Sequence, residues 1–177
     1  MDLARNIQKW SNIVLIGMAG SGKSTVGRLL ADRLAMGFVD TDTLIEEAAG
    51  RGLQEIVDDL GPDGLRRIEE EVLLAVHLQN HVIATGGSSV YSEAAMAHLG
   101  EDGIRILLDV PISFLEERIK NMSNRGLVRY PGQSFADLYA ERRHLYTNYA
   151  DLRFTCGGMT AKEVADKLLP LVTVSPA

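Results

Sequence analysis

The stretch Gly17-Met18-Ala19-Gly20-Ser21-Gly22-Lys23-Ser24 constrains this chain more than any other. It fits the pattern G-x-x-x-x-G-K-[ST] without a departure, and its setting fits as well. The apolar run Ile13-Val14-Leu15-Ile16 precedes it, and Val26, Leu29, Leu30, Ala31 and Leu34 follow at helical spacing. A short continuous apolar run reads as a buried parallel strand. Strand, glycine-rich turn and helix together make an anion cradle. Glycines let backbone N–H groups converge on phosphate oxygens, and the helix start near Lys23 aims its positive dipole end at the same anion. Gly20, Ser21, Gly22, Lys23, Ser24 and Thr25 are therefore the expected nucleotide-binding residues. Lys23 reaches the β- and γ-phosphates as a point charge, and the Ser24 hydroxyl ligates Mg²⁺.

Several nucleotide-handling classes can be set aside. A GTPase needs an N-K-x-D guanine-reading segment, and the chain has none. A large ATPase needs more chain and an apolar strand ending in a metal-holding Asp. Leu107-Leu108-Asp109 has that outline, but Asp109 stands before Val110-Pro111 and reads as a strand-end residue. A chain of 177 residues suits one domain over 1–177 with a full core, and a small-molecule kinase fits that size best. The net charge of -6 argues against nucleic acid as a partner, while a local pocket can still be positive. The lone cysteine, Cys156, offers neither a disulfide nor a paired metal ligand, so a reducing cytoplasm is the expected compartment. No apolar run is long enough to span a bilayer, and the N-terminal stretch lacks the apolar core of a signal peptide.

Along the chain, strand and helix patterns alternate. Short strands are expected at 13–16, 37–40, 81–85, 104–110 and 152–155. Helices are expected at 23–34, at 43–49 opening after Asp42, at 53–60, at 65 to about 78 beyond a break at Gly61-Pro62-Asp63-Gly64, and at 92–99 with Ser92 as cap. Further helices are expected at 114 to about 122 capped by Ser113, at 134–149, and from a Thr160 cap to about 169. Such alternation indicates an α/β domain with a parallel sheet and helices on both faces.

Asp40-Thr41-Asp42 follows the second strand, which places two carboxylates at the carboxyl edge of the sheet beside the phosphate loop. One can hold water on Mg²⁺ while the other accepts the proton of an acceptor hydroxyl. Equally, Asp42 can cap the next helix and Asp40 can end the strand. On these residues alone the chain reads as a phosphotransferase that passes the γ-phosphoryl group of ATP to a small hydroxyl-bearing acceptor.

Gly17 to Thr25, Phe38-Val39-Asp40-Thr41-Asp42, Leu65-Arg66-Arg67-Ile68-Glu69 and Gly86-Gly87 resemble, in order and spacing, the successive motifs of shikimate kinases. The resemblance runs from about Asn12 to Leu169. It implies a three-layer P-loop kinase fold, with five parallel strands in the order 2-3-1-4-5, an acceptor-binding region at about 43–70 and a mobile lid at about 118–133. By the same resemblance, Asp42 contacts the acceptor hydroxyls, Asp40 acts near Mg²⁺, and Arg66, held by Glu69, pairs with the acceptor carboxylate. A guanidinium fork suits a carboxylate. Gly86 and Gly87 admit the acceptor to the backbone, Arg118 stacks on adenine, Arg142 or its neighbour Arg143 binds the acceptor carboxylate, and Arg125 or Arg129 swings onto the transferring phosphates.

Four departures stand out. Ser88 replaces a third glycine, Gly126 and His144 stand where prolines are usual, and Gly157-Gly158-Met159-Thr160 lacks the usual adenine-side arginine or asparagine. The expected partners are ATP with Mg²⁺ and a small hydroxy acid, with no nucleic acid, no membrane and a monomeric chain. Shikimate is the leading acceptor, homoserine an alternative, and a non-catalytic nucleotide-binding regulator the reading from another class. Cys156 reads as a buried apolar residue, and His77, His81 and His98 as structural.

Overall fold

All five residues of the first strand, β1 (Asn12–Ile16), are buried. A strand whose alternating side chains all avoid water must be covered on both faces, and β1 accordingly lies at the centre of the sheet. In the computed structural model, which describes residues 10–120 and 130–173, the strands run parallel in the order β2-β3-β1-β4-β5. The others are β2 (Gly37–Asp40), β3 (His81–Ala84), β4 (Gly103–Asp109) and β5 (Leu152–Thr155). The order expected from the resemblance is the order observed. Val14 faces Ile83 on one side and Arg105 on the other.

Among the described residues seven α-helices fill the connections: α1 (Lys23–Leu34), α2 (Thr41–Ala49), α3 (Leu53–Leu74), α4 (Glu93–Glu101), α5 (Ile112–Lys120), α6 (Phe135–Tyr149) and α7 (Ala161–Thr173). Helix α1 packs on α7, whose Val164, Ala165, Leu168 and Val172 form its buried stripe, and α3 packs on α4. Ile45, Ile56 and Leu65 make a second, smaller core that joins α2 to α3. Helices α2 and α3 thus hold together apart from the main sheet core. Among the described residues no helix is long and apolar enough to cross a membrane.

Five boundaries differ from expectation, most of them for a local reason. Helix α2 opens at Thr41 because the Asp40 carboxylate caps it, accepting from the Asp42 N–H at 3.1 Å. The cap is thus Asp40 and not Asp42. Helix α5 opens at Ile112, with Ser113 inside it, because the Pro111 carbonyl already accepts from Phe114 and Leu115. The two helices expected at 53–60 and 65–78 are one kinked element. Gly61 takes φ 70 and ψ 178 at the kink, and Pro62 starts the second arm, where a missing N–H costs least. That arm ends at Leu74 because the following carbonyls find side-chain donors: Val76 O bonds the His98 ring and Leu78 O the Asn12 amide. Finally, α7 carries on through Pro170 to Thr173. Ser92, Ser134 and Thr160 cap α4, α6 and α7 as their positions indicate.

Candidate active site

The turn after β1 folds as an anion cradle, with Gly17, Gly20 and Gly22 at φ 144, 79 and 92. Lys23 lies along it, buried, its Nζ donating to the carbonyls of Gly17 and Met18 at 2.8 Å each. Burial lowers its pKa to about 8, against the raising influence of Asp42 and Asp40. The Ser24 hydroxyl donates to Asp40 Oδ2 at 2.5 Å. A hydroxyl and a carboxylate side by side at the mouth of the cradle fit Mg²⁺, which takes one or two protein oxygens and fills its octahedron with water and phosphate. Among the described residues there is no group of three or more His, Cys, Asp or Glu side chains that could hold a metal ion. Arg118 on α5 donates to the Gly20 carbonyl at 3.0 Å, so it flanks the cradle.

Asp42, Ile45, Leu53, Leu65, Glu69, Gly87, Ser88 and Arg142 line one narrow cleft beside the cradle. Burial raises the Asp42 pKa to about 6, with the Asp40 charge adding to it and Lys23 opposing. Burial likewise raises Glu69 to about 7, while its bond from Ser88 pulls the other way. Gly86 admits no side chain here: a Cβ would stand 2.5 Å from Glu69 Oε1 and 2.7 Å from Asp42 Oδ1. At Gly87 a Cβ would stand 3.0 Å from an Arg142 guanidinium nitrogen and 3.5 Å from the Ala19 amide, so this glycine lies where cradle and cleft meet. The Tyr146 hydroxyl fixes the turn by donating to the Gly87 carbonyl.

Of the two candidate arginines on α6, Arg142 is the one in the cleft, only 1% exposed. Arg143 faces out and pairs at 3.6 Å with Asp109, which is also bonded by Arg153. Asp109 is therefore a strand-end carboxylate held by two guanidinium groups. Arg66 borders an adjoining cleft of about 260 Å³ shared with Glu69, Ser88 and Tyr91.

One detail of the Arg66 expectation is corrected. Glu69 does not hold Arg66: among the described residues the two form no ion pair, and Glu69 Oε2 accepts the Ser88 hydroxyl instead. Arg66 is placed by the Tyr91 ring, 3.6 Å from its guanidinium carbon, by Asp63 at 3.6 Å and by the Tyr130 hydroxyl at 3.3 Å. Tyr91 carries no sequence signal, being a lone aromatic in a polar turn, yet Arg142 also lies 5.4 Å from its ring and donates to its hydroxyl at 3.4 Å. Arg125 and Arg129 lie outside the described residues. Cys156 is buried, and burial pushes its thiol up to about 11, which makes it a poor nucleophile. His77 and His98 pack edge to face, away from the cleft.

The chain is similar to known proteins along most of its length. The family model described as shikimate kinase matches residues 19–173. A shikimate kinase from Thermodesulfovibrio yellowstonii is 39% identical over 161 residues, covering 89% of this chain and 92% of that one. The solved shikimate kinase from Acinetobacter baumannii, in complex with shikimate, superposes with a TM-score of 0.83 at 31% identity, covering 93% of this chain and 94% of that one. A threonine synthase-like 1 protein from Mus musculus is 37% identical over 164 residues, which is 91% of this chain but 22% of that protein.

Proposed function

The chain belongs to the shikimate kinase family, and from that premise we propose that it transfers the γ-phosphoryl group of ATP to a ring hydroxyl of shikimate, giving shikimate 3-phosphate and ADP for aromatic amino-acid biosynthesis. The observation that carries this reading is the position of Asp42. It lines the acceptor cleft with Arg142 and feels the Lys23 charge on the phosphate side.

The chemistry follows from that position. Lys23 can exchange its contacts with the Gly17 and Met18 carbonyls for the β- and γ-phosphate oxygens. Arg142 and Arg66, in adjoining clefts, supply guanidinium forks for the acceptor carboxylate and so orient the ring. With a pKa raised to about 6, Asp42 is ionised at neutral pH yet holds a proton more readily than an ordinary aspartate. It accepts the hydroxyl proton as that oxygen bonds to the γ-phosphorus and the bond from phosphorus to the β–γ bridging oxygen breaks. Asp40 and Ser24 would hold Mg²⁺, which neutralises phosphate charge when bound. Ser88 is buried, and Arg142 and Tyr146 pack against Gly87, which limits water near the transferring group. All these residues come from one chain, which makes a monomer with ATP and one acceptor the simplest working unit. The buried, unpaired Cys156 suits a reducing cytoplasm.

A coupled assay of ADP release tests the proposal. Release that depends on shikimate, and not on homoserine or on ATP alone, is the expected result. Release with homoserine alone would move the acceptor assignment. Tight ATP binding without release on any hydroxy acid would leave a nucleotide-binding regulator.

A further inference from the structure

The two carboxylate oxygens of Glu69 have different surroundings. Oε2 accepts the Ser88 hydroxyl at 2.5 Å. Oε1 is buried without a hydrogen-bond partner, in a residue only 3% exposed, and the Nε atom of the more exposed Arg66, one helical turn away, is also buried without one. A buried polar atom left unpaired is unfavourable. The partner that Glu69 does have is Ser88. Its hydroxyl takes one oxygen of Glu69, and the other converges with Asp42 Oδ1 on the bare backbone of Gly86.

We propose that Ser88 is a positioning residue for acceptor recognition: it diverts Glu69 from Arg66, so that Oε1 joins Asp42 Oδ1 in the cleft and the pair of carboxylates reads two neighbouring hydroxyls on a polyhydroxy acid. The inference rests on the kinase reading above and deepens it, since it states which acceptors this cleft prefers. A single-hydroxyl acid leaves Oε1 buried and unsatisfied, whereas a vicinal diol gives each carboxylate a donor. Glycine at position 88 could not do this, because it has no hydroxyl to compete with the Arg66 guanidinium. The charged and titratable groups acting on Glu69 are Asp42 from α2, Lys23 from α1, Arg142 and Tyr146 from α6, and Arg66 from its own helix.

Steady-state kinetics test this, using shikimate and an analogue lacking one ring hydroxyl next to the phosphorylated one. In the parent enzyme the missing hydroxyl should raise KM about tenfold. Ser88→Ala should raise KM for shikimate by about the same factor, with kcat within about twofold, and should show little further loss on the analogue. Ser88→Thr, which keeps the hydroxyl, should restore the parent pattern. The acidic limb of kcat/KM for the acceptor should move to higher pH in Ser88→Ala, because the serine bond favours the charged form of Glu69. A purely structural serine would not move that limb. An unchanged KM in Ser88→Ala, or hydroxyl-deletion and serine effects that simply multiply, would overturn the inference while leaving the kinase intact. A parent enzyme inert toward shikimate would instead overturn the function on which it rests.

Discussion

In the mechanism proposed above, the working groups on the phosphate side of the cleft are backbone amides and near neighbours in sequence, Gly17 to Thr25, held by one turn between β1 and α1. On the acceptor side they are side chains drawn from distant places: Asp42 from α2, Arg66 and Glu69 from α3, Ser88 and Tyr91 from the turn after β3, and Arg142 from α6. The first region needs only a local conformation. The second needs four elements to be docked and a polar network to choose among competing partners. The contrast teaches where tolerance lies. The phosphate grip is set by geometry that few substitutions leave intact, whereas acceptor choice can drift one hydroxyl at a time.

Substitutions can break or sharpen that contrast. The largest effect is expected from Lys23→Ala, which should lower kcat by about 10³-fold or more with every acceptor, since it removes a charge that acts on the transferred group itself. Loss with one acceptor but not another would erase the distinction between the two sides. Next, Arg142→Ala should raise the KM for shikimate by about 10- to 100-fold while ATP affinity, read by calorimetry, stays within about twofold.

A pH profile comes third. Asp42 must be ionised to accept a proton and Glu69 to receive an acceptor hydroxyl, so kcat/KM for shikimate should fall as pH drops through about 7 and more steeply below about 6. Lys23 must be protonated, so kcat/KM for ATP should fall as pH rises through about 8. Opposite limbs for the two substrates would show the sides titrating separately. Tyr91→Leu should be milder, raising acceptor KM by about fivefold through loss of its face-on contact with Arg66.

The smallest effect is on stability. The folded pKa of Glu69 is raised from 4.5 to about 7, so its contribution is complete below 4.5 and is lost as pH rises through 7. Glu69→Gln should therefore raise Tm at pH 8 by a few degrees and leave it nearly unchanged at pH 4, measured by thermal unfolding.

Much of the phosphate side was legible in the chain because its signal is contiguous. The apolar run at 13–16 can only be a fully covered strand, and the glycines at 17, 20 and 22 serve one purpose together. Asp40 and Asp42 were legible as a pair, but not which of them caps α2, because aspartate is a favoured cap at either position and the helical pattern that follows suits both. Likewise the residues at 142 and 143 are equivalent as letters. A rotation of about 100° per residue along α6 buries one and exposes the other.

Glu69 shows the limit most clearly. Its spacing from Arg66 places both on one helix face, and spacing alone pairs them. A serine nineteen residues away takes the carboxylate instead. By itself the sequence determined the strand–cradle–helix core, the parallel sheet and the phosphoryl chemistry, because local dihedral preference and hydrophobic periodicity act between near neighbours. Only the tertiary structure decided which arginine faces the cleft, what Glu69 bonds and where Tyr91 stands. Those outcomes depend on competition for buried hydrogen bonds among side chains that folding alone brings together.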